Sequence, residues 1–335
     1  MQSSFRTVRR ASGKRGCMAK KIILDMDPGV DDALGIILAL RSPELEVLAI
    51  TTVAGNVGVD HCTNNTLRVL ALLDRHDIPV ARGADRPLRA RPHDAASVHG
   101  DDGLGALGDD YYPELDTRLL TQEPAADLIA RLVAESPGEV TVLSDGPITN
   151  LADAIRLHPG QMAKAKAIQA MNGAVNVPGN IPPLGAAEFD AYCDPDALVE
   201  VLDFSVPVML VPLDVTHAVP LYRTVAHAEF GGRDDAISRF ILDSSVHYMD
   251  FYMRDQGHDG CYLHDPLNVA IAIDPTFVHA EAMRIHVDVS EGPARGLTIP
   301  HRHPRLIKPE PNCEVALTVD TDRFMALFLG RMKQG

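Results

Sequence analysis

The chain contains no tryptophan, and aromatic residues make up 5% of its 335 positions. Any ring platform for a planar ligand must therefore come from Tyr, Phe or His. Cysteine is scarce too. Cys17, Cys62, Cys193, Cys261 and Cys313 are odd in number, scattered and never in a C-x-x-C pair, which argues against a disulfide framework or a zinc site and suits a reducing cytoplasm. No apolar run reaches the length of a bilayer span, so a soluble protein with no membrane partner is expected. Positive charge is in deficit, with 31 Lys and Arg against 46 Asp and Glu and a net charge of -15. That balance leaves no broad basic surface for nucleic acid and fits small neutral ligands or cations.

The hydrophobic fraction of 46% is ample for a full α/β core. The opening stretch MQSSFRTVRRASGKRGCMAK is basic and acid-free, and the periodic pattern begins only at AKKIILD. Residues 1–18 are therefore expected to be a disordered tail or an over-long start, and 19–335 a single domain. From there strands and helices alternate. KIILD reads as a buried strand, DDALGIILALRSP as an apolar helix ended by Pro43, EVLAITTVAGN as a second strand and HCTNNTLRVLALLDRH as a second helix. VTVLSDGPITNLADAIRLHP repeats that order, and AKAIQAMNG and VPVMLVPLDVTH add two strands. Such alternation predicts an α/β fold with an open, mostly parallel sheet covered by helices on both faces, its ligand site at the carboxyl ends of the strands. The segment from Gly83 to Tyr112 is aperiodic and rich in Gly, Asp and Pro, as functional or mobile loops are.

The turn LDMDPGVDDALG places Asp25, Asp27, Asp31 and Asp32 within eight positions. A helix N-terminus welcomes Asp31 and Asp32 through its free N–H groups. It does not account for Asp25 and Asp27 at the end of a buried strand, where uncompensated charge is costly. A hard cation would settle the whole group, and several carboxylates with a main-chain carbonyl suit calcium. Further strand ends offer partners: Asn56 in VAGN, Asp145 in LSDG, Asn180, Glu188 and Asp190 in AEFD, and His264 and Asp265 in LHDP.

KIILDMDPGVDDALGIILAL resembles the signature of the inosine/uridine-preferring nucleoside hydrolases, and ITTVAGN, VHGDDGLG, DGPITNLA, AEFD, DPDA, DVTH and HDP follow in that family's order. The likeness runs from about Met18 to the C-terminus. It implies a Rossmann-like nucleoside hydrolase fold and calcium-dependent hydrolysis of the N-glycosidic bond of ribonucleosides. Calcium would be held by Asp27, Asp32 and Asp265 with the carbonyl of Asp145, and Asp27 would be the general base on a calcium-bound water. Asp31 and Asn56 would hold ribose hydroxyls. Asn180 and Glu188 would reach the other end of the sugar, with Met171, Phe189 and Asp190 completing the substrate wall. His264 would lie near the base as proton donor, His99 in the loop above the pocket. A homodimer or homotetramer is implied as well.

Three positions depart from the family pattern: Asp190 stands where asparagine is usual, Asp145 where a neutral residue is commoner, and Asn172 where glycine is common. For the base, Tyr248, Tyr252 and His258 are candidates, against ordinary core packing of an i, i+4 pair. The histidine in HDP resembles the subgroup taking pyrimidine or mixed nucleosides. Two rivals remain in view. A haloacid-dehalogenase-like phosphatase also begins with a strand ending in D-x-D, yet here Pro28 and Gly29 follow the second aspartate. A nucleoside-binding protein that has lost catalysis is the other, whereas an EF-hand fails because the twelfth loop position from Asp25 is Ile36.

Overall fold

The computed structural model describes residues 19–89, 91–303 and 309–334. The proposed tail at 1–18, with Cys17, lies outside them. Six parallel strands form most of one sheet: β1 (Lys20–Met26), β2 (Leu45–Thr52), β3 (Val80–Arg82), β4 (Thr141–Asp145), β5 (Ala167–Met171) and β6 (Val208–Val211). Their order is β3-β2-β1-β4-β5-β6, continued by the Cys313–Val319 strand parallel to β6 and by the Val278–Met283 strand antiparallel to it at the edge. The sheet is thus open and mostly parallel, as the alternating sequence predicts.

Side-chain alternation along β1 explains the two layers. Ile22, Leu24 and Met26 enter one hydrophobic cluster, together with α1 (Val30–Leu40) and α2 (Val59–Leu72), while Ile23 enters the other, under the Ala125–Glu135, Thr149–Leu157 and Pro195–Leu202 helices. A strand buried on both faces reads as a continuous apolar run, which is why KIIL shows no polar alternation. Asp25 shares the face of Ile23, where Thr51 Oγ1 donates to its Oδ1 at 2.6 Å and Asn150 Nδ2 at 2.7 Å. These bonds give the buried carboxylate a structural setting of its own.

The sheet leaves the ends of β1, β2, β4 and β5 adjacent, because β1 pairs with both β2 and β4, and β4 with β5. Every loop that leaves those ends therefore meets over one edge. The aperiodic Gly83–Tyr112 segment folds back over the same edge and contains a short helix, α3 (Ala96–His99), and a 3-10 turn at Asp109–Tyr111.

Candidate active site

After β1, Asp27, Pro28 and Gly29 turn the chain into α1, so Asp31 and Asp32 fall in its first turn. Free N–H groups there favour carboxylates, and the Gly29 N–H donates to Asp32 Oδ2 at 2.9 Å. Asn56, in the loop after β2, ties the turn together. Its backbone N–H donates to Asp27 Oδ2 at 2.6 Å, and its amide donates to Asp32 Oδ2 at 3.0 Å and to Asp27 Oδ1 at 3.3 Å. Asp265 enters from the first turn of the His264–Ile273 helix, and one oxygen each of Asp31, Asp32 and Asp265 lies within 4.8 Å of the others.

All these carboxylates are buried, and Asp31 Oδ1 and Asp32 Oδ1 have no hydrogen-bond partner. Burial, then the neighbouring Asp32 charge, pushes the Asp31 carboxyl up to about 8; burial pushes Asp32 up to about 6. Asp27 and Asp265 are driven well above the ordinary range, first by burial and then by each other's acidic neighbours. Buried like charges with open oxygen lone pairs are the chemistry of a hard-cation site, and the residues fit one.

The resemblance puts Asp27, Asp32, Asp145 and Asp265 on the cation and Asp31 on the sugar. In the structure one oxygen each of Asp31, Asp32 and Asp265 converges, and Asp27 accepts from Asn56. The carbonyl of Asp145 accepts the Asp27 N–H at 3.4 Å. Its carboxylate turns to Asn268, whose Nδ2 donates to Oδ1 at 2.8 Å, and Oδ2 is buried without a partner.

Above the carboxylates opens a cavity of about 430 Å³. Asp27, Asp31, Asn56, His99, His264 and Asp265 line one part of it, and Met171, Asn180, Glu188, Phe189 and Asp190 another; Asp32 and Asp145 lie outside the lining. A larger groove of about 680 Å³ opens at the amino ends of the strands, where Lys20, Lys166 and Glu314 line it, and holds none of these residues. Glu188 caps the Phe189–Cys193 helix: Oε1 accepts from Asp190 N at 2.9 Å, and Oε2 from Gly173 N and Ala191 N at 3.0 Å each. Asp190 is buried, and its Oδ1 has no partner. Asn172, next to Met171, is wholly buried with both amide atoms unpartnered.

His264 Nδ1 lies 2.7 Å from Thr216 Oγ1 and its Nε2 lies 3.3 Å from the Tyr252 hydroxyl. The Tyr248 hydroxyl donates to Asp31 Oδ2 at 3.3 Å. Burial, then the neighbouring His217, holds His264 well below the usual imidazole range. His99 is lowered to about 3 by burial, so its 3.8 Å approach to Asp31 is that of a neutral ring and no ion pair. Its Nδ1 instead accepts the Val30 N–H at 3.2 Å.

Tyr248 and Tyr252 line the cavity while also packing in the core. His258 does not line it, and stacks on Tyr262 with centroids 4.9 Å apart. Sequence reasoning missed His93, Asp94, Tyr192, Phe251 and Asp255, all in the lining. For two of them a signal existed: 248, 251, 252 and 255 follow the spacing of one helix face within Ala236–Gln256. His93 and Tyr192 come from distant segments and meet edge to face at 4.8 Å, which no local pattern announces.

An open parallel sheet with a carboxylate-floored cavity at its carboxyl edge describes a class of α/β enzymes. The chain belongs to the inosine-uridine preferring nucleoside hydrolase family, whose model matches residues 22–326. It is 37% identical over 320 residues to the pyrimidine-specific ribonucleoside hydrolase RihA of Salmonella arizonae, covering 94% of this chain and 99% of that one. It is 36% identical over 323 residues to the protein of the same description from Escherichia coli, with the same coverage. Among solved structures, a plant nucleoside hydrolase, PpNRh1, superimposes with a TM-score of 0.87 at 34% identity, covering 94% of this chain and 99% of that chain. A purine-preferring ribonucleoside hydrolase from Gardnerella vaginalis gives 0.85 at 33% identity, covering 93% and 98%.

Proposed function

We propose that this enzyme hydrolyses the N-glycosidic bond of ribonucleosides, pyrimidine nucleosides or a mixed set first, to ribose and free base. The observation that carries the reading is the position of Asp27, Asp31 and Asp265 on the lining of a cavity that Glu188 and Asp190 also line. Breaking the bond builds positive charge on the sugar ring, and carboxylates facing it stabilise that charge.

Asp31, Asp32 and Asp265 would hold a divalent cation, calcium by the oxygen-only donor set. Once bound, such a cation acidifies water and binds vicinal hydroxyls. Asp27 takes the proton of the attacking water; its Oδ2 is fixed by the Asn56 N–H, which aims the carboxylate. Asn180, Glu188 and Asp190 receive the far end of the sugar. Because both Glu188 oxygens are engaged by backbone, Asp190 Oδ1 is a free acceptor on that wall. His264, oriented by Thr216 and Tyr252, serves the leaving base. Such acid–base help is worth about 10² to 10⁴ per group. Pyrimidine preference is supported by the RihA relatives, although a purine-preferring relative shares the fold.

The test is release of ribose from uridine, cytidine, inosine and adenosine, with calcium and with chelator, beside an Asp27→Ala variant of unchanged melting temperature. Calcium-dependent release that the variant lacks supports the reading. No release from any of the four, with calcium bound, would instead favour a nucleoside-binding protein.

A further inference from the structure

Three polar side chains are sealed between the sheet and the His264–Ile273 helix. Asp145, Gln169 and Asn268 are all buried, and none of them lines the cavity. Gln169 Nε2 donates to the Asn268 carbonyl at 2.6 Å and to Asn268 Oδ1 at 2.8 Å. Asn268 Nδ2 in turn donates to Asp145 Oδ1 at 2.8 Å and to the Gln169 carbonyl at 3.4 Å. Two backbone carbonyls demand donors here, so each amide can sit only one way round. Because Asp145 Oδ2 is buried without a partner, Asn268 is the one donor its carboxylate has among the described residues. The trio joins the segments on which the floor depends. Asp145 ends β4, and its carbonyl accepts the Asp27 N–H. Asn268 stands one turn beyond His264 and Asp265 on their helix, and Gln169 lies in β5, two residues before Met171 of the cavity lining.

Packing alone does not ask for this arrangement. Apolar side chains of the same shape would fill the gap without the cost of burying a carboxylate and two amides. They would also leave the helix free to shift along the sheet, whereas directed bonds hold one register. We infer that Asn268, braced by Gln169, is a positioning residue for the cation floor. By holding the Asp145 carboxylate turned onto the helix, it keeps the Asp145 carbonyl, Asp265 and Asp27 at the spacing that one cation and one attacking water require. Without Asn268 the carboxylate is stranded in a buried gap and must turn to find water or a cation, taking the end of β4 with it. The inference rests on the proposed hydrolase and its cation, and concerns residues that touch neither the ion nor the sugar.

The experiment measures calcium affinity by titration calorimetry, and kcat and KM on uridine at saturating calcium. It uses the full chain, Asn268→Ala, Asp145→Ala, the double variant of these two, and Asn150→Ala. The last strands Asp25 elsewhere in the sheet and controls for lost stability alone. Asn268→Ala should weaken calcium about tenfold or more and lower kcat by a similar factor, with KM changed less than about threefold. Removing the stranded carboxylate should restore most of the affinity in the double variant, so the two substitutions are far from additive. Asn150→Ala should lower the Tm without moving the affinity. Gln169→Leu, which leaves Asn268 in place but unbraced, should weaken calcium severalfold and carries the test if Asn268→Ala does not fold. Affinity that is unchanged or raised in the Asn268 or Gln169 variant, or a double variant no better than Asn268→Ala, overturns the inference and leaves the hydrolase standing. A chain that binds calcium yet releases ribose from no nucleoside removes the hydrolase reading, and the affinities alone then decide this one. A chain that binds no calcium overturns this inference together with the cation floor.

Discussion

Adding calcium to the metal-free chain should raise its Tm, and the rise should grow with pH. Burial and the Asp32 charge hold Asp31 at about 8, and burial holds Asp32 at about 6, both above the ordinary 3.8. The native state therefore retains protons that the unfolded chain gives up, so this contribution to stability falls as pH climbs from 3.8 towards 8. A cation relieves the penalty because it binds the ionised group. It must displace the Asp31 proton between about pH 6 and 8, the Asp32 proton as well below that, and any proton held by Asp265, so apparent affinity should rise at least about tenfold per pH unit in the first range and more steeply in the second. At a calcium concentration about 100 times Kd the stabilisation is about 2.7 kcal/mol. With an unfolding entropy of about 2.1 cal/mol/K per residue over 335 residues, that is a shift of roughly 4 °C. One pH unit lower, at the same calcium, no more than about 1.4 kcal/mol and 2 °C remain. Scanning calorimetry at about pH 5.5, 6.5 and 7.5, with magnesium as the comparison ion and Asp32→Asn as the control, measures this. A shift that ignores pH, or that survives undiminished in Asp32→Asn, would refute the reasoning and put the ion elsewhere.

Three other perturbations have definite outcomes. His264→Ala should lower kcat on uridine by about 10² to 10⁴ yet leave hydrolysis of a riboside with an activated phenolate leaving group within about tenfold, measured by paired steady-state assays; an equal loss on both would deny His264 a role at the leaving group. Asn150→Ala removes the donor to Asp25 Oδ1 at 2.7 Å and to the Thr52 carbonyl at 3.0 Å, and the acceptor of the Ala84 N–H at 2.9 Å. It should cost about 2 to 4 kcal/mol in denaturant unfolding, and a loss under about 1 would show that Asp25 does not need it. Gly55→Ala puts a Cβ 1.9 Å from Asp27 Oδ2 and 2.7 Å from Pro147 Cδ, so Asp27 must shift. Turnover should drop at least about tenfold while the far-ultraviolet circular dichroism is unchanged, and full activity would contradict the placement of Asp27.

Much of the fold could be read along the chain because parallel strands buried on both faces leave continuous apolar runs, and because Pro and Gly mark where β1 hands over to α1. The antiparallel edge strand at Val278–Met283 left no comparable mark: its residues alternate between half-buried and exposed and carry charge. At the site, each residue named from a strand-end motif except Asp25, Asp32 and Asp145 reaches the cavity lining. What the motifs could not convey was how the side chains of neighbouring aspartates are turned. Whether Asp27 or Asp31 faces Asp265 depends on side-chain torsions and on the grip of Asn56, neither of which has a signature in spacing. The rim is the other gap. His93 and Asp94 belong to an aperiodic segment whose path is set by tertiary contacts, so nothing local could place them on the same lining as Phe251 and Asp255.

The segment that carries α3 is fastened directly to the acidic turn. Asn65 of α2 donates its amide to the Pro28 carbonyl at 2.9 Å and to the Asp102 carbonyl at 2.8 Å, and His99 accepts the N–H that begins α1. Lifting that flap would unlatch the ring from Val30 and split the two bonds of one amide, leaving a bare N–H at the helix start beside Asp31. The entrance and the floor are therefore joined through the same few side chains, so a substitution that loosens Asn65 or His99 should be felt at Asp31 as well.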